Sequence, residues 1–302
     1  MITSRFGLPL DYKEVTETIV NVLSDYIVKS NIKTMVIGLS GGLDSSVSAA
    51  LCRIVSDKTH VPLFGISLPC KTNKGDEVNG AALCGAEFCD KFSEVNIEDT
   101  FKNIEELCMV SSQMESTPIS QGNIKARLRM TILYDMASKM GGIVIDNDMI
   151  TEHELGFWTV NGDVGDISPL ANLWKTEVYE LAAYLKDNVF KDSKALEAAI
   201  AITPTDGNGV SSSDIEQIMP NHTYGDVDKI LMPWVSLDRK IKESYLKDDF
   251  NNVKGTVFEP LIAEYGKENV KRVIMRNVRS EFKRYPHPIP IDIFKKEIVT
   301  KI

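Results

Sequence analysis

No window of the sequence approaches the ~18 uninterrupted apolar residues that a membrane-spanning helix requires, and residues 1–11 lack the apolar stretch of a secretory leader. The chain is therefore expected to stay in the cytoplasm, with no membrane partner. Positive charge is also scarce: 34 Lys and Arg stand against 43 Asp and Glu, a formal net charge of −9. Tracking a nucleic-acid backbone needs clustered cations that displace counterions, so this balance argues against a nucleic-acid partner. Cysteine is sparse and odd in number. Cys52, Cys70, Cys84, Cys89 and Cys108 form no Cys-x-x-Cys pair, which suits neither a disulfide framework nor a zinc site. They read as reduced thiols, mostly small core residues. The 12 prolines are scattered, and 43% hydrophobic residues are ample for a folded core, so wholesale disorder is excluded.

What is present is an alternation of patterns. Val15, Ile19, Val22, Leu23, Tyr26 and Ile27 recur at helical spacing between Asp11 and Lys29. A short apolar run, Met35 to Leu39, then reads as a strand, and Val47, Ala50, Leu51, Ile54 and Val55 as the next helix. Strands are expected at Leu63–Leu68 and Ser93–Ile97 with a helix over Asp76–Lys91 between them. A further helix carries Ile124, Leu128, Leu133, Met136 and Met140 into the strand Ile143–Asp146. Parallel strands need crossover helices, so the alternation predicts an α/β fold: a doubly wound, mostly parallel sheet flanked by helices. Ligands in such sheets sit beyond the carboxyl ends of the strands, where Ser40 and Asp146 both fall. From Thr203 to Pro220 the sequence turns rich in Gly, Ser, Asp and Pro, as a loop that could close over a ligand would be. After Tyr224 a helical segment leads to a basic, proline-bounded tail. No repeat and no sharp break divides the chain, so residues 1–302 read as a single domain.

The strongest local signal is Gly38-Leu39-Ser40-Gly41-Gly42-Leu43-Asp44-Ser45. Paired glycines let backbone amides approach phosphate oxygens, and the following helix adds its positive end. It is not a Walker loop, which places a Lys before its Ser or Thr; here Asp44 stands near that place. A carboxylate beside a polyphosphate makes sense with Mg2+ between them. The run Ser-Gly-Gly-x-Asp-Ser resembles the loop of the ATP pyrophosphatase (PP-loop) superfamily, whose Rossmann-like, adenine nucleotide alpha hydrolase-like fold supports adenylation with release of pyrophosphate.

Further motifs select within that superfamily: Gln121-Gly-Asn-Ile-Lys-Ala-Arg-Leu-Arg-Met130, Glu152, Gly156-Phe-Trp-Thr159, Gly162-Asp-Val-Gly-Asp-Ile-Ser-Pro-Leu170, Lys175 and Arg279-Ser-Glu-Phe-Lys-Arg-Tyr-Pro286. In this order they resemble ammonia-dependent NAD synthetase, the type without a glutaminase domain, from about residue 11 to the tail. The resemblance implies ATP contacts at Gly38 to Ser45, Asn147, Lys175 and Thr205. It implies Mg2+ ligands at Asp44 and Glu152, with Lys175 supplying charge to catalysis. Nicotinic acid adenine dinucleotide would meet Arg127, Val160, Asp166, Phe282 and Lys283, and ammonia would be the second substrate. It also implies a homodimer.

Three of these positions depart from the family pattern. Asn147 replaces a Thr after the strand, and an amide can still donate and accept. Val160 stands where a Lys is usual, and Phe282 replaces a His beside Lys283, so polar contacts to the acceptor are expected to be retuned. The alternatives are another PP-loop adenylating amidase, a tRNA-modifying enzyme, or a nucleotide-binding homologue without catalysis.

Overall fold

Met35, Val36 and Ile37 have no exposed surface, which an unbroken apolar run can satisfy only in a strand covered on both faces. They form β1 (Met35–Gly38), the inner strand of a four-stranded sheet. A computed structural model describes residues 10–163, 165–202 and 215–285, with the backbone of 291–292 and 297–298. The sheet order is β3-β2-β1-β4, with β2 at Leu63–Ser67, β3 at Lys91–Glu94 and β4 at Ile143–Ile145. All pairs are parallel, with Met35 in register with Leu63 on one side and with Ile143 on the other. The chain thus runs outward from β1 through β2 to β3, then crosses back to lay β4 on the opposite side of β1. That reversal makes the carboxyl ends of β1 and β4 a topological switch point, the usual ligand position in open α/β sheets.

Helices follow the strands as the pattern requires. α1 (Tyr12–Lys29) is capped by Asp11, whose carboxylate accepts from the Lys13 amide at 2.9 Å. α2 (Leu43–Thr59) leaves the loop after β1, α3 (Gly75–Phe88) joins β2 to β3, and α5 (Pro118–Met140) leads to β4.

Two expectations shift. The third strand lies at Lys91–Glu94, ahead of Ser93–Ile97, because Ile97 is buried as the cap of a helix instead of pairing in the sheet. That helix, α4 (Glu98–Ser112), was not anticipated. Its only fully buried side chain is Phe101, while Leu107 and Val110 face outward, so its apolar residues trace no core-facing stripe.

The chain groups into two compact units, Met1–Ile150 with Thr159–Asp214, and Thr151–Trp158 with Ile215–Ile302. The first holds the four-stranded sheet, α7 (Lys175–Tyr184) and α8 (Lys194–Ala201). The second is built on α9 (Tyr224–Ser236), α10 (Arg239–Lys247), α11 (Phe258–Tyr265) and α12 (Lys267–Arg279). Buried Trp234, Phe250 and Phe258 pack together in tilted and edge-to-face contacts, and the Trp234 indole N–H donates to Asn277 Oδ1 at 2.9 Å. The short helix α6 (Ile150–Leu155) passes from the first unit into the second. Among the described residues no helix is long and apolar enough to cross a membrane.

Candidate nucleotide site

The turn from β1 into α2 is shaped by a close approach of backbones. Gly41 adopts φ +79°, and a Cβ there would lie 1.9 Å from the Glu77 carbonyl oxygen on α3. Gly80 is the counterpart, since its Cβ would come within 2.9 Å of the Gly41 carbonyl. Only glycine fits either position. Ser40 and Ser45 tie the turn together: Ser45 Oγ accepts from the Ser40 amide at 3.3 Å, and Ser40 Oγ accepts from the Gly42 amide at 3.2 Å. Ser46 Oγ donates to the Gly42 carbonyl at 2.9 Å. Leu39, Leu43 and Ser45 are buried beneath the turn. The glycine turn and the positive end of a 17-residue helix make an anion cradle, with the Ser40 and Gly42 amides taken up within the turn itself.

Asp44 sits in the first turn of α2, where a carboxylate suits the helix dipole. Its Oδ2 accepts from the Nζ of Lys175, a lysine buried at the start of α7 and 131 positions away in sequence. The other oxygen, Oδ1, is buried with no hydrogen-bond partner among the described residues. Such an acceptor costs stability unless something binds it. α7 begins here because Glu177 reaches back to accept the Trp174 amide at 2.9 Å.

Asn147 follows β4 and reaches β1: its Nδ2 donates to the Gly38 carbonyl at 3.0 Å. That bond fixes the orientation of the amide and leaves Oδ1, buried and without a partner among the described residues, as an acceptor. Burial pushes the neighbouring Asp146 carboxyl above its usual range, despite the amides of Asn147 and Asp148 and the Ser168 hydroxyl, which favour the ionised form. Asp166 is exposed and accepts from the Val144 amide at 2.8 Å and from the Tyr134 hydroxyl at 3.3 Å. Burial, together with this carboxylate, pushes Tyr134 up to about 12. Arg127 is exposed on α5 and its Nη2 donates to the Val160 carbonyl at 3.1 Å, so these two expected acceptor contacts adjoin.

The remaining predicted residues lie in the second unit or outside the described residues. Glu152 is in the first turn of α6. Lys283 donates to the carbonyls of Gly156, at 2.7 Å, and Trp158. Phe282 is 54% exposed and follows no buried pattern. Thr205 lies outside the described residues. The structure therefore brings Gly38 to Ser45, Asn147 and Lys175 together at one end of the sheet.

Sequence reasoning passed over the support beneath this loop. Arg129 Nη2 donates to Asn73 Oδ1 at 3.2 Å, and Asn73 Nδ2 donates to Glu77 Oε2 at 3.0 Å, which braces the turn of α3 that abuts Gly41. Lys125, 3% exposed, reaches Thr72 Oγ1 at 3.3 Å and lies 4.8 Å from the Phe101 ring centroid. The signal available was Gly80, a glycine inside a helical pattern.

An open parallel sheet with a glycine-rich anion cradle at the β1–α2 turn, a carboxylate within it and a buried lysine upon that carboxylate defines a nucleotide-binding α/β protein. Within that class the chain belongs to the NAD synthase family, whose model matches residues 15–286. It is 33% identical over 229 residues to an NH(3)-dependent NAD(+) synthetase of Carboxydothermus hydrogenoformans, covering 74% of this chain and 86% of that protein. It is 30% identical over 282 residues to an NH(3)-dependent NAD(+) synthetase of Fusobacterium nucleatum, covering 92% of this chain and 95% of that one. Among solved structures, an NMN synthetase from Francisella tularensis aligns with TM-score 0.70 and 27% identity over 93% of this chain and 99% of its own.

Proposed function

We propose that the protein is an ammonia-dependent NAD synthetase, a ligase that forms a carbon–nitrogen bond at the expense of ATP. The reading rests on likeness to the synthetases named above over nearly the whole chain. The observation that carries it at the site is the buried contact between Asp44 in the phosphate loop and Lys175. In the proposed reaction the nicotinate carboxylate of nicotinic acid adenine dinucleotide attacks the α-phosphorus of ATP. The bond to the β-phosphate bridging oxygen breaks, giving an acyl adenylate and pyrophosphate. Ammonia then attacks the acyl carbon, AMP leaves with the former carboxylate oxygen, and the nitrogen loses a proton to yield the amide.

The amides and hydroxyls of Ser40 to Ser45 hold the triphosphate, and Lys175 places a cation where charge develops on the departing pyrophosphate. Asn147 offers an acceptor to ATP, and Thr205 is assigned to the same substrate. Asp44 and Glu152 are the carboxylates that the resemblance assigns to Mg2+. Among the described residues no three His, Cys, Asp or Glu side chains gather to hold a metal. Mg2+ bound by one or two carboxylates plus phosphate oxygens and water needs no such cluster, and the open, buried Oδ1 of Asp44 fits that use. A bound Mg2+ would neutralise the polyphosphate and stabilise the leaving pyrophosphate. Arg127, Val160, Asp166, Phe282 and Lys283 are assigned to the acceptor. The protein is read as a cytoplasmic homodimer, testable by sedimentation and fractionation.

A second reading differs in the acceptor alone: the mononucleotide, lacking the adenylyl half, is amidated in the same way. It is favoured by the alignment with the NMN synthetase structure and by Val160 and Phe282, where a Lys and a His are usual. Purified protein supplied with ATP, Mg2+ and ammonia is expected to release AMP only when an acceptor is added. Measuring kcat/KM with the deamido dinucleotide and with the deamido mononucleotide decides between the readings. No acceptor-dependent AMP with either would sink both.

A further inference from the structure

Helix α6 spans only six residues, Ile150–Leu155, too few to hold a helix by themselves. Its orientation is set by side chains from distant parts of the second unit. Beside Glu152, Thr151 Oγ1 donates to Asp228 Oδ1 on α9 at 2.7 Å, and both residues are buried, at 0% and 1% exposure. At the other end the terminal carbonyls, which lack intrahelical donors, are taken up by α12 and the turn after it. Glu154 O accepts from Asn277 Nδ2 at 2.9 Å and Arg284 Nη1 at 2.8 Å. Leu155 O accepts from Arg276 Nε at 2.7 Å, and Gly156 O from Lys283 Nζ at 2.7 Å.

Removing a carboxylate from water is costly, and a hydrophobic residue on the buried face of α9 would pack as well. The hydrogen bond of this buried carboxylate to Thr151, the residue before Glu152, gives that cost a purpose. We propose that Asp228 is a positioning residue that, through Thr151, holds Glu152 in place for a divalent cation. The proposal rests on the assignment of Glu152 as a cation ligand. In this role Asp228 acts through Thr151 and is not itself a ligand. It fixes the first turn of α6 at one end while the carbonyl contacts fix the other, so the Glu152 carboxylate is presented from a helix that cannot pivot.

The test is Mn2+ affinity in the presence of a non-hydrolysable ATP analogue, read from the paramagnetic resonance of free Mn2+, alongside the free Mg2+ needed for half-maximal AMP formation. Loss of a group bonded directly to a metal ligand changes metal affinity by about 10–100-fold, and Asp228, acting through the neighbouring Thr151, is expected at the low end of that range. Asp228→Ala should weaken Mn2+ binding about tenfold or more and raise the Mg2+ requirement in parallel. Asp228→Asn keeps an oxygen that accepts from Thr151 and should stay within about threefold of the native protein. Thr151→Val removes the donor at nearly constant volume, should shift the affinity like Asp228→Ala, and carries the test if that variant fails to fold. Glu152→Gln separates the ligand assignment from the positioning role. If it weakens Mn2+ binding while Asp228→Ala and Thr151→Val do not, the positioning role is overturned and the ligand assignment stands. If Glu152→Gln leaves the affinity unchanged, the assignment fails and the proposal with it.

Discussion

Replacing Lys175 by methionine keeps most of the side-chain volume at the start of α7 and removes the cation that Asp44 faces. The Lys175 side chain is 2% exposed and that of Asp44 18%, so water can only partly take over the lost partner. Removing one member of a fully buried pair costs about 3–5 kcal/mol, and the partial exposure of Asp44 lowers the expectation to about 2–3 kcal/mol. At roughly 2–4 °C per kcal/mol for domains of 150–250 residues, the melting temperature should fall by about 4–12 °C. Most of this cost is the stranded carboxylate, so adding Asp44→Asn to Lys175→Met should be less destabilising than the sum of the two single changes, by about 1–2 kcal/mol. Acceptor-dependent AMP formation should drop about 100- to 1,000-fold in Lys175→Met, the loss expected when one preorganised charge at a developing anion is removed. The assays are thermal unfolding of the four proteins of the cycle and AMP release at saturating ATP. Simple additivity of the two destabilisations would mean that the contact carries no coupling energy and that Lys175 does not stabilise the Asp44 carboxylate.

Two other perturbations test the fold around the site. Gly41→Ala must push the loop off α3, because its Cβ would overlap the Glu77 carbonyl oxygen and the backbone is at φ +79°; ATP binding by calorimetry should weaken about 100-fold or more while the far-ultraviolet spectrum is retained. Asp90 probes electrostatics. Its partial burial opposes ionisation, but the Leu63 amide at 2.7 Å, Arg53 and Ser56 outweigh that and hold the carboxyl below its usual range. A depressed carboxylate contributes stability above its unfolded value of about 4 and loses it as the pH falls through that value towards the folded one. Asp90→Asn should therefore be about 1 kcal/mol less stable than the native protein at pH 7, a figure reduced for its half-exposed position, and the gap should close below about pH 4. Urea unfolding at the two pH values measures it, and a gap independent of pH would contradict the assignment.

Much of this protein was legible in the order of its residues. Unbroken apolar runs at Met35 and Ile143 can be satisfied only by covered parallel strands, and the helical spacing between them supplied the cover. Ser40 to Ser45 also announced its form, since a short run of glycines and hydroxyls between a strand and a helix sets a tight turn by interactions within itself. Local periodicity failed where burial was thin: α4 buries little more than Phe101, so no helical stripe marks it, and Ile97, buried as a helix cap, gives Ser93–Ile97 the alternation of a strand. It took the folded chain to show that Lys175 meets Asp44 across 131 residues, that Asn147 donates an amide hydrogen to Gly38, and that Asp228 lies buried against Thr151. The reason is physical. A strand or a loop is selected by interactions a few residues apart, whereas an ion pair or a buried carboxylate is selected by partners that chain folding brings close, and no local spacing encodes which partners those will be.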